Sequence, residues 1–140
     1  MARKKVLIIG LGRLGAGVAE RASAKGEDVI AIDKDAGSLL RLDDTFTGFT
    51  VTGDATDIAF LEEEGMLDSV KEAIVTTGND NVNLFLAHVL SSIYQIPEIF
   101  VRFDDPDKGA CLAGFSNIRP IYPFELSLMR LDALEGEDEE

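Results

Sequence analysis

Short apolar runs that stop at glycine or a polar residue alternate with amphipathic stretches along this chain. Val6–Ile9 is apolar throughout and ends at Gly10. Arg13–Lys25 follows with helical spacing, placing Leu14, Val18 and Ala22 on one expected buried face. Val29–Ile32 is a second apolar run, closed by Asp33. Ser38–Asp43 carries Leu39, Leu40 and Leu42 and reads as a short helix. Phe49–Thr52 predicts a third strand, and Ile58–Glu64 a helix that Asp57 caps and Gly65 stops. Ala73–Thr77 predicts a fourth strand. Val82–Tyr94 is the longest helical pattern, with Val82, Phe85, Leu86, Val89, Leu90 and Ile93 as its expected apolar stripe. Ile99–Phe103 and Ile118–Ile121 predict two further strands, with a short helix over Asp107–Ala113 between them. Phe124–Leu134 completes the pattern as a helix.

Strands that are apolar throughout, rather than alternating, are buried on both faces, as in a parallel sheet covered by helices. Right-handed crossovers then give an α/β fold, a Rossmann-like doubly wound sheet of about six strands in the order 3-2-1-4-5-6. One domain is expected over residues 1–134, followed by a disordered acidic tail at 135–140.

Composition narrows the function. The chain has 140 residues, with 13 Lys and Arg against 26 Asp and Glu, for a net charge of −13. Five of the acids lie in the last six residues, and removing them still leaves −8. An acidic body argues against nucleic acid as a partner, because phosphate neutralisation needs clustered Lys and Arg. No apolar stretch approaches the roughly 18–20 residues that cross a bilayer, so no direct membrane insertion is expected. A glycine loop follows the first apolar run where a signal peptide would carry a cleavage site. The single cysteine, Cys111, has no internal disulfide partner, which fits a reducing, cytoplasmic setting; it reads as a small buried residue.

Gly10-Leu11-Gly12-Arg13-Leu14-Gly15 is a G-x-G-x-x-G between a predicted strand and a predicted helix. Asp33 ends the next strand at the spacing a dinucleotide fold uses. Gly10 permits the tight turn, Gly12 lets a phosphate approach the backbone, and Gly15 lets the helix pack on the strand. First-turn amides, at the positive end of the helix dipole, can hold a pyrophosphate, and Arg13 can add a charge-assisted contact. Asp33 suits the ribose 2′- and 3′-hydroxyls and disfavours a 2′-phosphate. In the expected strand order, strands 1 and 4 flank the switch point. The loop after strand 4, Thr77-Gly78-Asn79-Asp80, then forms a second wall, and the loop after strand 3, Gly53–Asp57, lies near the base. Asp57 and Asp80 also suit a role as helix caps.

The runs VLIIGLGRLG, VIAIDKD, VTGDATD, AIVTTGNDNVN and IFVRFDDPD resemble the TrkA-N or RCK family of cytosolic nucleotide-binding regulators of potassium channels and transporters. The resemblance covers roughly residues 4–130. It implies that NAD(H), ATP or ADP binds as an effector, and that a homodimer or larger assembly acts on a membrane potassium channel or transporter subunit. By position, Gly10, Gly12, Arg13 and Gly15 would hold phosphate and Asp33 the ribose. Asp54 and Ala55 would flank adenine, and Thr77, Gly78 and Asp80 would line the opposite wall. Arg102 would orient the ligand or brace its loop, and Leu14, Lys34 and Gly53 complete the set. Many members continue into a second domain that is absent from this sequence, so the chain reads either as a stand-alone subunit or as a piece cut from a longer protein. Some relatives carry a cation-binding Glu directly after a His-Pro pair. Here the stretch is Tyr122-Pro123-Phe124-Glu125, and no metal is expected. The helix after strand 6 crosses to a partner in the family; the same apolar residues could instead dock on their own domain.

The alternative is an NAD-dependent oxidoreductase, or a cofactor-binding fragment of one. Hydride transfer needs an acid or base beside the nicotinamide. His88, the only histidine, falls mid-helix, and neither Tyr94 nor Tyr122 has a lysine four residues on. A methyltransferase is less suited still, because Arg13 fits phosphate better than a sulfonium ligand.

Overall fold

The computed structural model describes residues 3–138. Its strands are β1 (Lys5–Ile9), β2 (Asp28–Asp33), β3 (Phe49–Thr52), β4 (Glu72–Val75), β5 (Glu98–Arg102) and β6 (Ile118–Ile121). They form one parallel sheet in the order β3-β2-β1-β4-β5-β6, the order the apolar runs imply. The helices are α1 (Arg13–Ala24), α2 (Ile58–Leu61), α3 (Asp80–Ser92), α4 (Pro106–Ala110) and α5 (Pro123–Asp138), with short 3-10 turns at Ala36–Arg41 and Glu63–Gly65. No helix among the described residues is long and apolar enough to cross a membrane.

The sheet's alternation divides the core in two. Leu7, Ile9, Ile30, Ile32, Val75, Ile99 and Val101 join Leu86 and Leu90 of α3 on one face. Val6, Ile8, Val29, Ala31 and Ile74 meet Ala19 and Ala22 of α1 on the other. Burial on both faces explains the unbroken apolar runs of the central strands. β3 lies at the sheet edge, and there Phe49 is 68% exposed.

Two helices turn differently from the simple apolar stripes. α1 buries Gly15, Ala16, Ala19, Ala22 and Ser23, while Leu14 is 37% exposed and Val18 half-buried. A helix this close to a sheet admits only small side chains beneath it, so the larger apolar residues move to its flank. α3 buries Asn83, Leu86, Ala87, Val89 and Leu90, and leaves Phe85 and Ile93 outside. Its stripe is therefore rotated from the expected one, with a polar side chain at its centre.

Two further expectations change, and one alternative left open is decided. Cys111 is exposed rather than buried, because it follows the single turn of α4 on the outer surface. α5 runs to Asp138, so residues 135–138 continue a helix where a disordered tail was expected; 139–140 lie outside the described residues. α5 also does not dock on its own domain: Phe124, Leu126, Leu128, Met129, Leu131 and Leu134 are all 40–66% exposed.

Candidate nucleotide site

A cavity of about 380 Å³ opens at the carboxyl ends of β1 and β4, where the crossovers leave in opposite directions. Its floor is Ile9, Ile32, Val82 and Leu86, and its walls are loops after β1, β2, β3 and β4. Of the candidate residues, Gly10, Gly12, Asp33, Lys34, Gly53, Asp54, Ala55, Thr77, Gly78 and Arg102 line this cavity together. Arg13, Leu14, Gly15 and Asp80 do not. The volume lies at the lower end of the range for small-molecule pockets, about 300–1,000 Å³.

Each glycine of the first loop has its own reason. Gly10 has φ +95°, and a Cβ there would lie 2.6 Å from the Thr76 carbonyl oxygen. Both the turn and the approach of β4 therefore require glycine. A Cβ on Gly15 would lie 1.8 Å from the Gly10 carbonyl oxygen, so helix and loop touch there. Gly12 differs, since a Cβ there meets nothing within 4 Å. The space over Gly12 is open for a ligand rather than filled by protein.

The start of α1 supplies the positive end of a dipole. Gly12 is its N-cap and provides no side-chain cap, whereas Asp57, Asn79 and Asp105 cap α2, α3 and α4. The first-turn amides of α1 are thus left for a partner from outside, and an anion is the chemistry they favour. Arg13 and Leu14 stand exposed on this turn: Arg13 beside Arg41 and Glu20, Leu14 on the far flank beside Val18 and Phe100.

Asp33 ties the first loop to the second strand. Its Oδ2 accepts the Leu11 amide at 2.8 Å and its Oδ1 the Asp35 amide at 2.8 Å. The half-buried carboxylate is thereby held at the cavity wall. After β3, the Gly53 amide donates to the Asp33 carbonyl at 3.0 Å, and the Phe60 ring occupies the place of a Gly53 side chain. Asp54 accepts from the Thr56 amide at 2.9 Å and the Thr56 hydroxyl at 2.7 Å. These bonds, the hydroxyl's first, hold its carboxyl below its ordinary pKa. Such a carboxylate is a fixed acceptor, poorly suited to shuttling protons at neutral pH.

Opposite, the loop after β4 is organised by two residues outside its expected roles. Asn79 caps α3, accepting the Asn81 and Val82 amides at 2.9 and 3.1 Å. Asp80 turns away from the cavity, accepting the Asp104 and Asp105 amides at 2.9 Å each, so it braces the loop after β5. Its place in the candidate wall is therefore corrected, and it is not the helix cap either. Arg102 lines the cavity while pairing with Asp104 Oδ1 at 3.2 Å through one guanidinium nitrogen and 3.3 Å through another.

Two contributors were not among the candidates. Asn83, fully buried, bonds to Thr77 and, through Nδ2, to the Arg102 carbonyl at 2.9 Å, joining the β4 and β5 loops. Its signal was available: a polar residue within a helix's apolar face. Thr76, 4% exposed, lines the cavity at the end of β4, and its hydroxyl oxygen has no hydrogen-bond partner. Uncapped amides, open space over Gly12 and this unpaired hydroxyl fit a phosphorylated ligand. Asp33 fits the sugar hydroxyls beside it. His88 lies exposed on α3 with its ring edge-on to Phe115, and neither tyrosine lines the cavity.

The sequence matches the TrkA-N domain over residues 6–118. It is 34% identical over 104 residues to the Trk system potassium uptake protein TrkA of Streptomyces coelicolor, covering 74% of this chain and 46% of that protein. The chain thus spans about half the length of that relative. A crystal structure of a GsuK mutant superposes with a TM-score of 0.82 at 25% identity, covering 98% of this chain and 35% of that one. The Shewanella denitrificans Kef CTD in AMP-bound form shares the fold, with a TM-score of 0.70 at 19% identity, over 94% of this chain and 80% of that one. With a match that runs from β1 through β5 and reaches the first residue of β6, over most of its length, the chain belongs to the TrkA-N domain family.

Proposed function

We propose that this chain is a cytosolic, non-catalytic nucleotide-binding regulatory unit of a potassium channel or transporter, with NAD(H) or ATP/ADP as its effector. The cavity carries the reading: open first-turn amides beside an anchored carboxylate at the switch point. A nucleotide supplies phosphate charge and sugar hydroxyls to that pocket. The α1 amides around Gly12, with Arg13 at the rim, hold the phosphate. Asp33 accepts from the ribose, with Lys34 beside it. Gly53, Asp54 and Ala55 form the base wall, and Thr77, Gly78 and Arg102 close the opposite side.

The titratable side chains on the cavity are Asp33, Lys34, Asp54 and Arg102, and Asp54 is pinned in its charged form. That set suits recognition better than proton transfer. The family's potassium-uptake relatives support the regulatory role. The exposed apolar side of α5 supports assembly with a second copy, since a helix so apolar is stable when covered.

Native mass spectrometry of the purified chain with ADP, ATP and NADH tests the reading, because it reports bound nucleotide and subunit number together. Uptake of one of these, weakened about tenfold or more by Asp33→Ala, is the expected result. A protein that binds none of the three overturns it.

A further inference from the structure

Thr76 is the residue whose chemistry the fold leaves unfinished. It follows the last residue of β4, and its amide donates to the Ile9 carbonyl at 2.8 Å, extending the ladder between β4 and β1. Its carbonyl lies against Gly10, and its Cγ2 methyl against Gly15. Thr76 is thus set directly beneath the glycine loop, with its methyl packed at Gly15 and the residue itself at the cavity wall. Among the described residues, its hydroxyl oxygen is the buried side-chain polar atom without a partner.

A buried hydroxyl without a hydrogen bond is destabilising, and a valine of the same shape would fill the position without that cost. Threonine here weakens the empty fold. The open space over Gly12 and the uncapped amides of α1 lie on the same loop. We infer that the Thr76 hydroxyl is a ligand-binding group that donates its proton to the phosphate of a nucleotide held by the Gly10–Gly15 loop. This rests on the nucleotide reading above and adds a side-chain donor from β4 to the main-chain donors of α1. It also makes binding sensitive to the junction of β1 and β4, because Thr76 bridges both strands.

The test compares wild type, Thr76→Val and Thr76→Ser for ADP affinity by calorimetry and for the melting temperature of the nucleotide-free protein. Thr76→Val is expected to weaken ADP binding by about tenfold or more, the loss of one charge-assisted hydrogen bond. Its nucleotide-free form is expected to melt higher than wild type, because the unpaired hydroxyl is gone. Thr76→Ser keeps the donor and is expected to bind ADP within about threefold of wild type. Unchanged ADP affinity in Thr76→Val, or a lower melting temperature of its nucleotide-free form, overturns the assignment. Loss of ADP affinity in Thr76→Ser equal to that in Thr76→Val also overturns it. If the wild type takes up neither ADP nor NADH, the nucleotide reading falls first and this inference with it.

Discussion

The side chain of Asn83 grips Thr77 at three points: Oδ1 accepts the Thr77 amide at 3.1 Å and the Thr77 hydroxyl at 2.5 Å, and Nδ2 donates to the Thr77 carbonyl at 3.1 Å. With the bond to the Arg102 carbonyl, one buried amide fixes both loops on the far side of the cavity. Asn83→Ala would leave two carbonyls, an amide and a hydroxyl without this partner. A loss of about 2–4 kcal/mol in unfolding free energy is expected by urea denaturation, with nucleotide affinity falling as the wall loosens. Wild-type stability in the variant would contradict this account.

The glycines of the first loop separate by substitution. Gly12→Val places its side chain in open space, so the variant is expected to fold with a melting temperature near wild type. It fills the proposed phosphate position and is expected to abolish ADP binding in calorimetry. Gly10→Ala and Gly15→Ala meet backbone atoms instead, and each is expected to lose about 2 kcal/mol or more in stability.

Arg102 has a competitor in Asp104. The pair is partly exposed and contributes about 0–1 kcal/mol to stability. Asp104→Ala leaves the guanidinium free for a phosphate, and ADP affinity is expected to rise at low salt while the melting temperature barely moves. Arg102→Ala is expected to lower that affinity. Equal affinities for the two variants would remove Arg102 from the site.

The proposed assembly with a second copy is tested at the exposed apolar side of α5. Paired Leu128→Glu and Leu131→Glu substitutions lie on its exposed surface and leave the core untouched. Sedimentation is expected to show a smaller assembly with unchanged secondary structure. Retention of the wild-type mass would refute a role for this face.

Acid sensitivity follows from Asp54. Its hydrogen bonds with Thr56 lower its carboxyl from the ordinary 3.8, so the folded state holds this proton less tightly than the unfolded chain. The stabilisation is therefore present above the ordinary value and lost as pH falls through the depressed one. Asp54→Ala is expected to flatten the dependence of melting temperature on pH below about pH 4, with the neutral-pH limb unchanged in shape.

The central strands were legible because a strand buried on both faces must be apolar at every position, a signal contained within four or five residues. The glycine loop and Asp33 were legible for a similar reason: turn, helix start and strand end follow one another along the chain. Asn83, Thr76, Asp80 and Cys111 were not. Asn83 reads as a polar break in an apolar face until β5 supplies the Arg102 carbonyl. Asp80 reads as a wall residue or a cap until the loop after β5 presents two amides to it.

Sequence alone determined the parallel sheet, its strand order and the place of the glycine loop, because burial and backbone conformation at those positions depend on short-range pattern. Tertiary structure decided which face of α1 and α3 turns inward, which polar groups find partners across the cavity, and that α5 stands clear of its own domain. Those outcomes depend on contacts between residues distant in the chain, where the room beneath a helix and the direction of a neighbouring amide settle what composition leaves open.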